Sequence, residues 1–530
     1  MTMFKVFSKK SKSKKMNQEK NTSNPNNTSK KDNIIKIPKS IGSIKDILNQ
    51  EFTLCSDFII REVVLGKLNV KIIIASFDGF VDKKILAENI IEPIMQYSQN
   101  TKISSVYTLL KEKIISSGDL EELNTLKDSI DGILSGNAVL FVEDEEKAFK
   151  IGLKAPEMRA VEQPDTEISI KGSKEGFTEN LLTNTTLIRR RIKNSNLKVE
   201  SFKLGERTNT DIVICYIQGI AQPEIIDELK KRINKIKTDA ILTSGYIEQF
   251  IQDGSFSLFP MVGNSEKPDK VAAKLLEGRI AIISDGASTV LTIPYLVIES
   301  IQAQEDYYGE FIFASSMRIL RFIALLISFY LPALYVALIS FHQTTIPFKL
   351  MLTMAAARQG IPFSAFFETL IMLFAFEILR EAGLRMPRSI GQAVSIVGAI
   401  VLGDAAVSAG IASAPIVIVT ALSGICSFIV PPLIKAGSII RILMLISANA
   451  LGFFGMATLT NLIIIYLCSK KSFGIPYLAP ISPFRATDLK DSLIVVPIWA
   501  MFGRPHSLSH GQYSKRTRGK SFSTRRKQNG

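Results

Sequence analysis

Three stretches of this 530-residue chain carry no charged residue: Phe322–Phe341 (20 residues), Ala405–Ile434 (30) and Ile442–Ser469 (28). An α-helix needs about 20 consecutive apolar residues to cross the hydrocarbon core of a bilayer. The runs predict an integral membrane protein with a helical multi-span domain over residues 317–469. Residues 50–316 have a different character. Short apolar runs alternate there with charged helical stretches, as in a soluble region. Residues 1–45 are rich in Lys, Asn and Ser, which predicts a disordered basic arm without the apolar core of a signal peptide.

The formal net charge is +15, much of it in that arm and in the basic tail within residues 470–530. Beside a membrane domain, basic ends read as attracted to anionic lipid on the cytoplasmic face. No recognition helix or aromatic-interleaved basic patch supports nucleic acid as a partner. Cys55, Cys215, Cys426 and Cys468 form no CxxC pair and read as small buried hydrophobes. His342, His506 and His510 lack metal-ligand spacing. No GxGxxG, GxxxxGK[ST] or GxSxG occurs, so no cofactor and no enzymatic activity are expected.

Within the soluble part, VKIIIASFDGFVDKKILAENIIEPI from Val70 and TDIVICYIQGIAQPEIIDELKKRI from Thr210 resemble each other weakly. Each is an apolar run of strand length, a turn and an amphipathic helix, and each is followed by a further apolar strand, at Asn137 and Gly278. From this spacing two α/β subdomains are expected, residues 50–180 and 194–316, with partly parallel sheets. Asp78-Gly79 and Asp285-Gly286 read as turn chemistry rather than catalysis. The helix ending in Arg189-Arg190-Arg191 is a connector between subdomains, or else a docking surface for a partner or lipid headgroups.

Arg318 and Arg321 precede the first span, and cytoplasmic flanks carry the Lys/Arg excess, so the soluble region is placed in the cytoplasm. EILREAGLRMPRSIG at Glu377–Gly391 is a cytoplasmic turn between spans, with Glu381 and Arg385 paired one helical turn apart. Asp404 marks an outer loop, and Lys435 and Arg441 an inner flank. Ile442–Ser469 crosses once, or reverses at Gly452-Phe453-Phe454-Gly455 so that the tail stays inside; Asn449 and Asn461 then face protein. The intramembrane carboxylate Glu368 marks a pathway or protein interface, or else sits near the membrane surface in a tilted helix. In the small-residue helix Gly391–Gly403, Gln392, Ser395 and Ala399 form a mild polar stripe, suited to close packing in an oligomer or to lining a wetted pore.

LPALYVALISFHQTTIP, AAARQGIPF, FEILREAGLRMPRSIGQAVSIVGA and FGIPYLAPISP resemble the A subunit of GerA-type nutrient germinant receptors of endospore-forming bacteria. EGFTENLLTNTTLIRRRIK is similar to that family's cytoplasmic domain, and the resemblance covers about Glu51 to Pro505. It implies a spore inner-membrane protein acting with a permease-like B subunit and a lipoprotein C subunit. It further implies a homo-oligomer that conducts cations. FHQTTIP departs from the Pro-Glu that often follows His in this family. A non-conducting scaffold that couples a nutrient-binding permease to the cytoplasm is the alternative.

Overall fold

The structure, a computed structural model, describes residues 36–65, 70–93, 95, 120–153, 164, 167, 171–254, 256–386, 403–485, 488–501 and 503–509. The basic arm to residue 35 and the stripe Gln392, Ser395 and Ala399 lie outside the described residues.

The first unit runs α1 (Ile41–Glu51), β1 (Phe58–Leu65), β2 (Val70–Phe77) and α2 (Lys83–Leu86). It continues with β3 (Leu120–Leu123), α3 (Leu126–Leu134), β4 (Ala138–Val142) and β5 (Ala148–Ile151). The second runs α4 (Leu181–Arg191), β6 (Leu197–Leu204), β7 (Thr210–Ile217), α5 (Pro223–Lys235) and α6 (Ser244–Ile251). It ends with β8 (Gly263–Ser265), α7 (Pro268–Glu277), β9 (Ile280–Ser284) and β10 (Val290–Ile293). The sheet orders are β1-β2-β4-β5-β3 and β6-β7-β9-β10-β8, the same permutation. The faint likeness between the Val70 and Thr210 segments is thus a repeat of topology.

Among the described residues the expected parallel component is absent from both sheets, and every strand pairing within them is antiparallel. Unbroken apolar runs report burial on two faces, not strand direction. Both faces are indeed covered. One face of the first sheet packs Ile73, Ala75 and Phe141 against Ile44 and Leu48 of α1 and Ile133 of α3, and the other packs Ile72, Ile74 and Leu140 against Leu86 and Ile90. In the second sheet, α5 and α6 cover one face and α4 and α7 the other. Asp78-Gly79 and Asp285-Gly286 are turns, with φ of 83° and 73° at the two glycines.

The units meet at the edge strand β6. Val199 forms an isolated parallel bridge with Cys55, and the Ser56 N–H donates to the Val199 carbonyl at 2.8 Å. Arg189 reaches across to Asp57, with Nη2 2.7 Å from Oδ1, and its guanidinium lies 4.0 Å from the centre of the Phe77 ring. Arg191 binds Glu175 at 2.6 Å. Of the three arginines only Arg190 is exposed, so the helix end is an internal connector and not a basic docking face.

The helical region comprises α8 (Phe311–Ser340), α9 (Phe348–Arg358), α10 (Ala365–Arg385), α11 (Ala414–Phe428) and α12 (Ile434–Ser469). Phe311–Ser340 and Pro431–Ser469 are long and apolar enough to cross a membrane; Ala414–Phe428 is apolar and shorter. α8 leaves the α/β region at its near end and finishes at a far end beside α9. α10 and α11 both run from far to near: Glu368 and Ser413 lie together at the far end, Phe376 packs on Gly424, and Ser423 meets Ser328 further down.

α12 is a hairpin. Gly452 has φ 61° and ψ −138°, outside helical geometry. In a straight helix, residues eight apart lie about 12 Å apart, yet a Cβ built on Gly455 would sit 2.2 Å from the Ser447 carbonyl oxygen. Contacts along α8 reverse accordingly: Arg441 lies beside Ser328, Phe453 beside His342 at the far end, and Thr460 beside Tyr330. Tyr466 then touches Leu258 of the α/β region. The inner stripe Ala436, Ile440, Met444 and Ala448 takes the buried face, which leaves Asn449 and Asn461 exposed instead of facing protein within this chain. Cys468 is exposed too, whereas the other three cysteines are buried as expected.

After the hairpin, residues 470–509 return to the second sheet instead of trailing away. β11 (Lys471–Ser472) and β12 (Ile475–Pro476) form a small ladder, and Phe473, Ile475, Ala479 and Leu508 join the core cluster of β7, β9, α5 and α6.

Candidate functional site

Three charged clusters tie the elements together. At the far end, Glu368 in the first turn of α10 is fully buried. Arg358, the last residue of α9, brings Nε and Nη2 to Oε1 at 3.1 and 3.0 Å, and the Ser413 N–H donates to Oε2 at 3.1 Å. The carboxylate singled out by sequence is therefore held by protein groups, which offsets the cost of burying it. Sequence reasoning does not bring in Arg358; its only signal is a lone arginine ten residues before the carboxylate.

Deeper in the bundle, Arg441 is buried. Its Nε and Nη2 donate to the carbonyl and hydroxyl oxygens of Ser328, both at 3.1 Å, and its Nη1 lies 3.8 Å from Glu377 Oε1. Glu377 also pairs with Arg380 at 2.5 Å, and Arg380 donates to Ser438 Oγ at 3.2 Å. Small residues make this approach possible: a Cβ on Gly437 would meet Phe329 at 2.9 Å, and one on Gly424 would meet Phe376 at 2.3 Å. Arg441 is thus not the exposed inner flank that its charge suggested. It lies seven residues inside the helix.

The third cluster joins the helices to the α/β region. Arg318, expected as a flank, is fully buried. Its Nε binds Asp306 at 2.8 Å, and its Nη1 reaches the Asp491 carboxylate at 2.8 Å and the carbonyls of Asp491 and Ser492 at 2.7 and 2.9 Å. Arg321 meets both Asp306 carboxylate oxygens at 2.9 Å. The Tyr307 hydroxyl donates to Asp491 Oδ2 at 2.8 Å. Burial pushes the Asp491 carboxyl above its ordinary range despite Arg318, and burial with the Asp491 charge beside it raises Tyr307 as well. Two arginines face two aspartates, so the cluster is neutral and is held from three chain segments at once. Moving α8 therefore moves the loop before it and the returning C-terminal segment together. Beside it, the turn Val297–Ser300 packs on Pro431–Leu433, the entry to the hairpin.

The sequence profile described as "Bacillus/Clostridium GerA spore germination protein" matches residues 46–507. The chain belongs to the GerA family. Among GerA-family relatives, it is 42% identical over 480 residues to spore germination protein KA of Bacillus subtilis strain 168, covering 90% of this chain and 86% of that one. It is 44% identical over 463 residues to the B. subtilis membrane protein YfkQ, covering 87% and 90%. It is 35% identical over 475 residues to B. subtilis spore germination protein B1, covering 88% and 96%. A crystal structure of the N-terminal domain of the A subunit of the Bacillus megaterium spore germinant receptor GerK3 is 30% identical, covering 49% of this chain and 96% of that one, at a TM-score of 0.40.

Proposed function

We propose that this chain is the A subunit of a nutrient germinant receptor in the spore inner membrane, non-enzymatic, with its α/β units on the cytoplasmic side. In this reading it acts with a permease-like B subunit and a lipoprotein C subunit, and several copies assemble into a cation channel whose opening starts germination. The observation that carries the assembly is Asn461. It lies eight or nine residues from either end of the hairpin's second arm and is exposed on the outer face. Hydrocarbon offers an amide no hydrogen-bond partner, whereas the same helix of a second copy does.

Among the described residues the interior of one bundle is filled by Ala333, Ala337, Ile440 and Met444 and closed by Arg441, and conduction in this reading runs between copies. Gln392, Ser395 and Ala399 are the proposed lining, since small polar side chains leave room for hydrated ions. The test is K⁺ and Na⁺ flux through liposomes containing the purified protein. Flux that is lost in Ser395→Leu, with disulfide-trapped dimers formed through Asn461→Cys, is the expected result. Liposomes that stay tight at every protein density would leave the non-conducting scaffold as the function.

A further inference from the structure

The Glu377–Arg380–Arg441 cluster carries one carboxylate and two guanidinium groups, a net charge of +1 in the helical bundle. Three of its atoms are buried without a hydrogen-bond partner among the described residues: Arg380 Nε, Arg441 Nη1 and Glu377 Oε1. Arg441 itself is 2% exposed, so its free N–H groups point into the cluster and not into solvent. Glu377 and Arg380 are 22% and 15% exposed at their side chains, so the cluster opens sideways at the bundle surface. Arg380 is five residues from the near end of α10, about 7.5 Å along the axis, which in the membrane-spanning reading is within a headgroup layer's thickness of the bundle's end.

A ligand that completes this set must accept from two cationic donors and donate to a carboxylate. A bare phosphate meets the first demand and is repelled by Glu377. A phosphoglycerol group meets both, with phosphate oxygens on the arginines and a glycerol hydroxyl on Glu377 Oε1. We propose that the cluster is a phosphoglycerol headgroup site filled by an anionic phospholipid. The site rests on the membrane-spanning reading above, and it holds lipid between α10 and the first arm of α12. Phospholipid in that seat bridges α10 and the hairpin that touches the α/β region.

The test is native mass spectrometry of the full-length, delipidated protein with phosphatidylglycerol, phosphatidic acid and phosphatidylcholine in turn. The wild type is expected to retain phosphatidylglycerol most. Arg380→Gln removes a charge-assisted donor and lowers that retention about tenfold or more, and Arg380→Lys recovers part of it. Glu377→Gln abolishes the preference for phosphatidylglycerol over phosphatidic acid, because the acceptor charge that repels bare phosphate is gone. Equal retention of the three lipids by wild type and Arg380→Gln would overturn the site and leave water on these groups. Displacement of phosphatidylglycerol by sn-glycerol 3-phosphate at equal concentration would overturn the lipid and assign a soluble phosphoglycerol. A carbonate wash of membranes separates the two levels: protein that stays in the membrane yet shows no lipid preference loses only this site, and protein that washes off loses the membrane reading.

Discussion

Glu299 illustrates how single buried charges are held in the second unit. Its carboxylate is almost fully enclosed, with Arg279 Nη2 at 2.9 Å, Lys274 Nζ at 3.0 Å and the Leu296 N–H at 2.9 Å. Burial opposes ionisation, but Arg279 and Lys274 together hold the carboxyl below its ordinary value. A carboxyl lowered on folding stabilises the fold fully above its unfolded pKa, near 4.3 for Glu, and that contribution is lost as pH falls through the folded value. Glu299→Gln is expected to cost about 3–5 kcal/mol at pH 7, because Lys274 stays buried without its counter-charge and Arg279 keeps only Glu277. It should also flatten the fall of melting temperature below about pH 4.5. Melting curves from pH 7 to 3 check this; parallel curves for variant and wild type would show that Glu299 carries no acid sensitivity. None of this was legible beforehand. Charge near an apolar run looks the same in sequence whether it flanks a helix in water, as Arg385 does, or is enclosed by aspartates, as Arg318 is. Only the partner decides, and Asp491 lies 173 residues away.

Elements were easier to foresee than their directions. The strands at Lys71, Asn137, Asp211 and Gly278 formed where apolar runs stood. Hydropathy gives no strand direction, and it left the uncharged run of 28 residues open between one crossing and two. Gly452 reverses the helix within that run, so its two arms lie side by side. The hairpin predicts that Ser469 and Arg385 lie on one side of the membrane and Ser408 on the other. An impermeant thiol reagent added from outside should modify a cysteine at Ser408 and spare cysteines at Arg385 and Ser469; labelling at Ser469 would make α12 a single crossing. Gly452→Ala places a Cβ 3.0 Å from His342 Nε2 and 3.1 Å from Phe341 Cβ, at φ 61°. It should lower stability by roughly 1–3 kcal/mol, read as a lower melting temperature in detergent.

At the scale of the whole molecule, the α/β part is not separable where composition divides it. Phe473, Ile475, Ala479 and Leu508 complete the core beside α5 and α6, the Arg504 side chain donates to the Leu276 carbonyl at 2.7 Å, and Gly278 has room only for hydrogen because the Leu508 carbonyl oxygen lies 2.6 Å from where a Cβ would be. A fragment ending at Asp306 also strands that aspartate without Arg318 and Arg321. Residues 49–306 are therefore expected to unfold several degrees below the same fragment fused through a flexible linker to residues 470–509. Leaving Phe473 and Ile475 unburied forfeits about 1.5–3 kcal/mol each. Equal melting temperatures would show the returning segment to be a passenger.

That returning segment sets an order of events during synthesis. The last strand of the second sheet, ending at Ile293, emerges long before the segment reaching Ser509 that seals one of its faces. Between them the ribosome adds 509 − 293 = 216 residues, which at 5–20 residues per second takes roughly 10–40 s. Throughout that interval the helices between them are being made while the part of the α5–α6 core that Phe473, Ile475, Ala479 and Leu508 complete stands open. Closing it comes late in synthesis, so a polypeptide that stops short of the returning segment keeps Ile225, Ile247 and their neighbours less than fully covered.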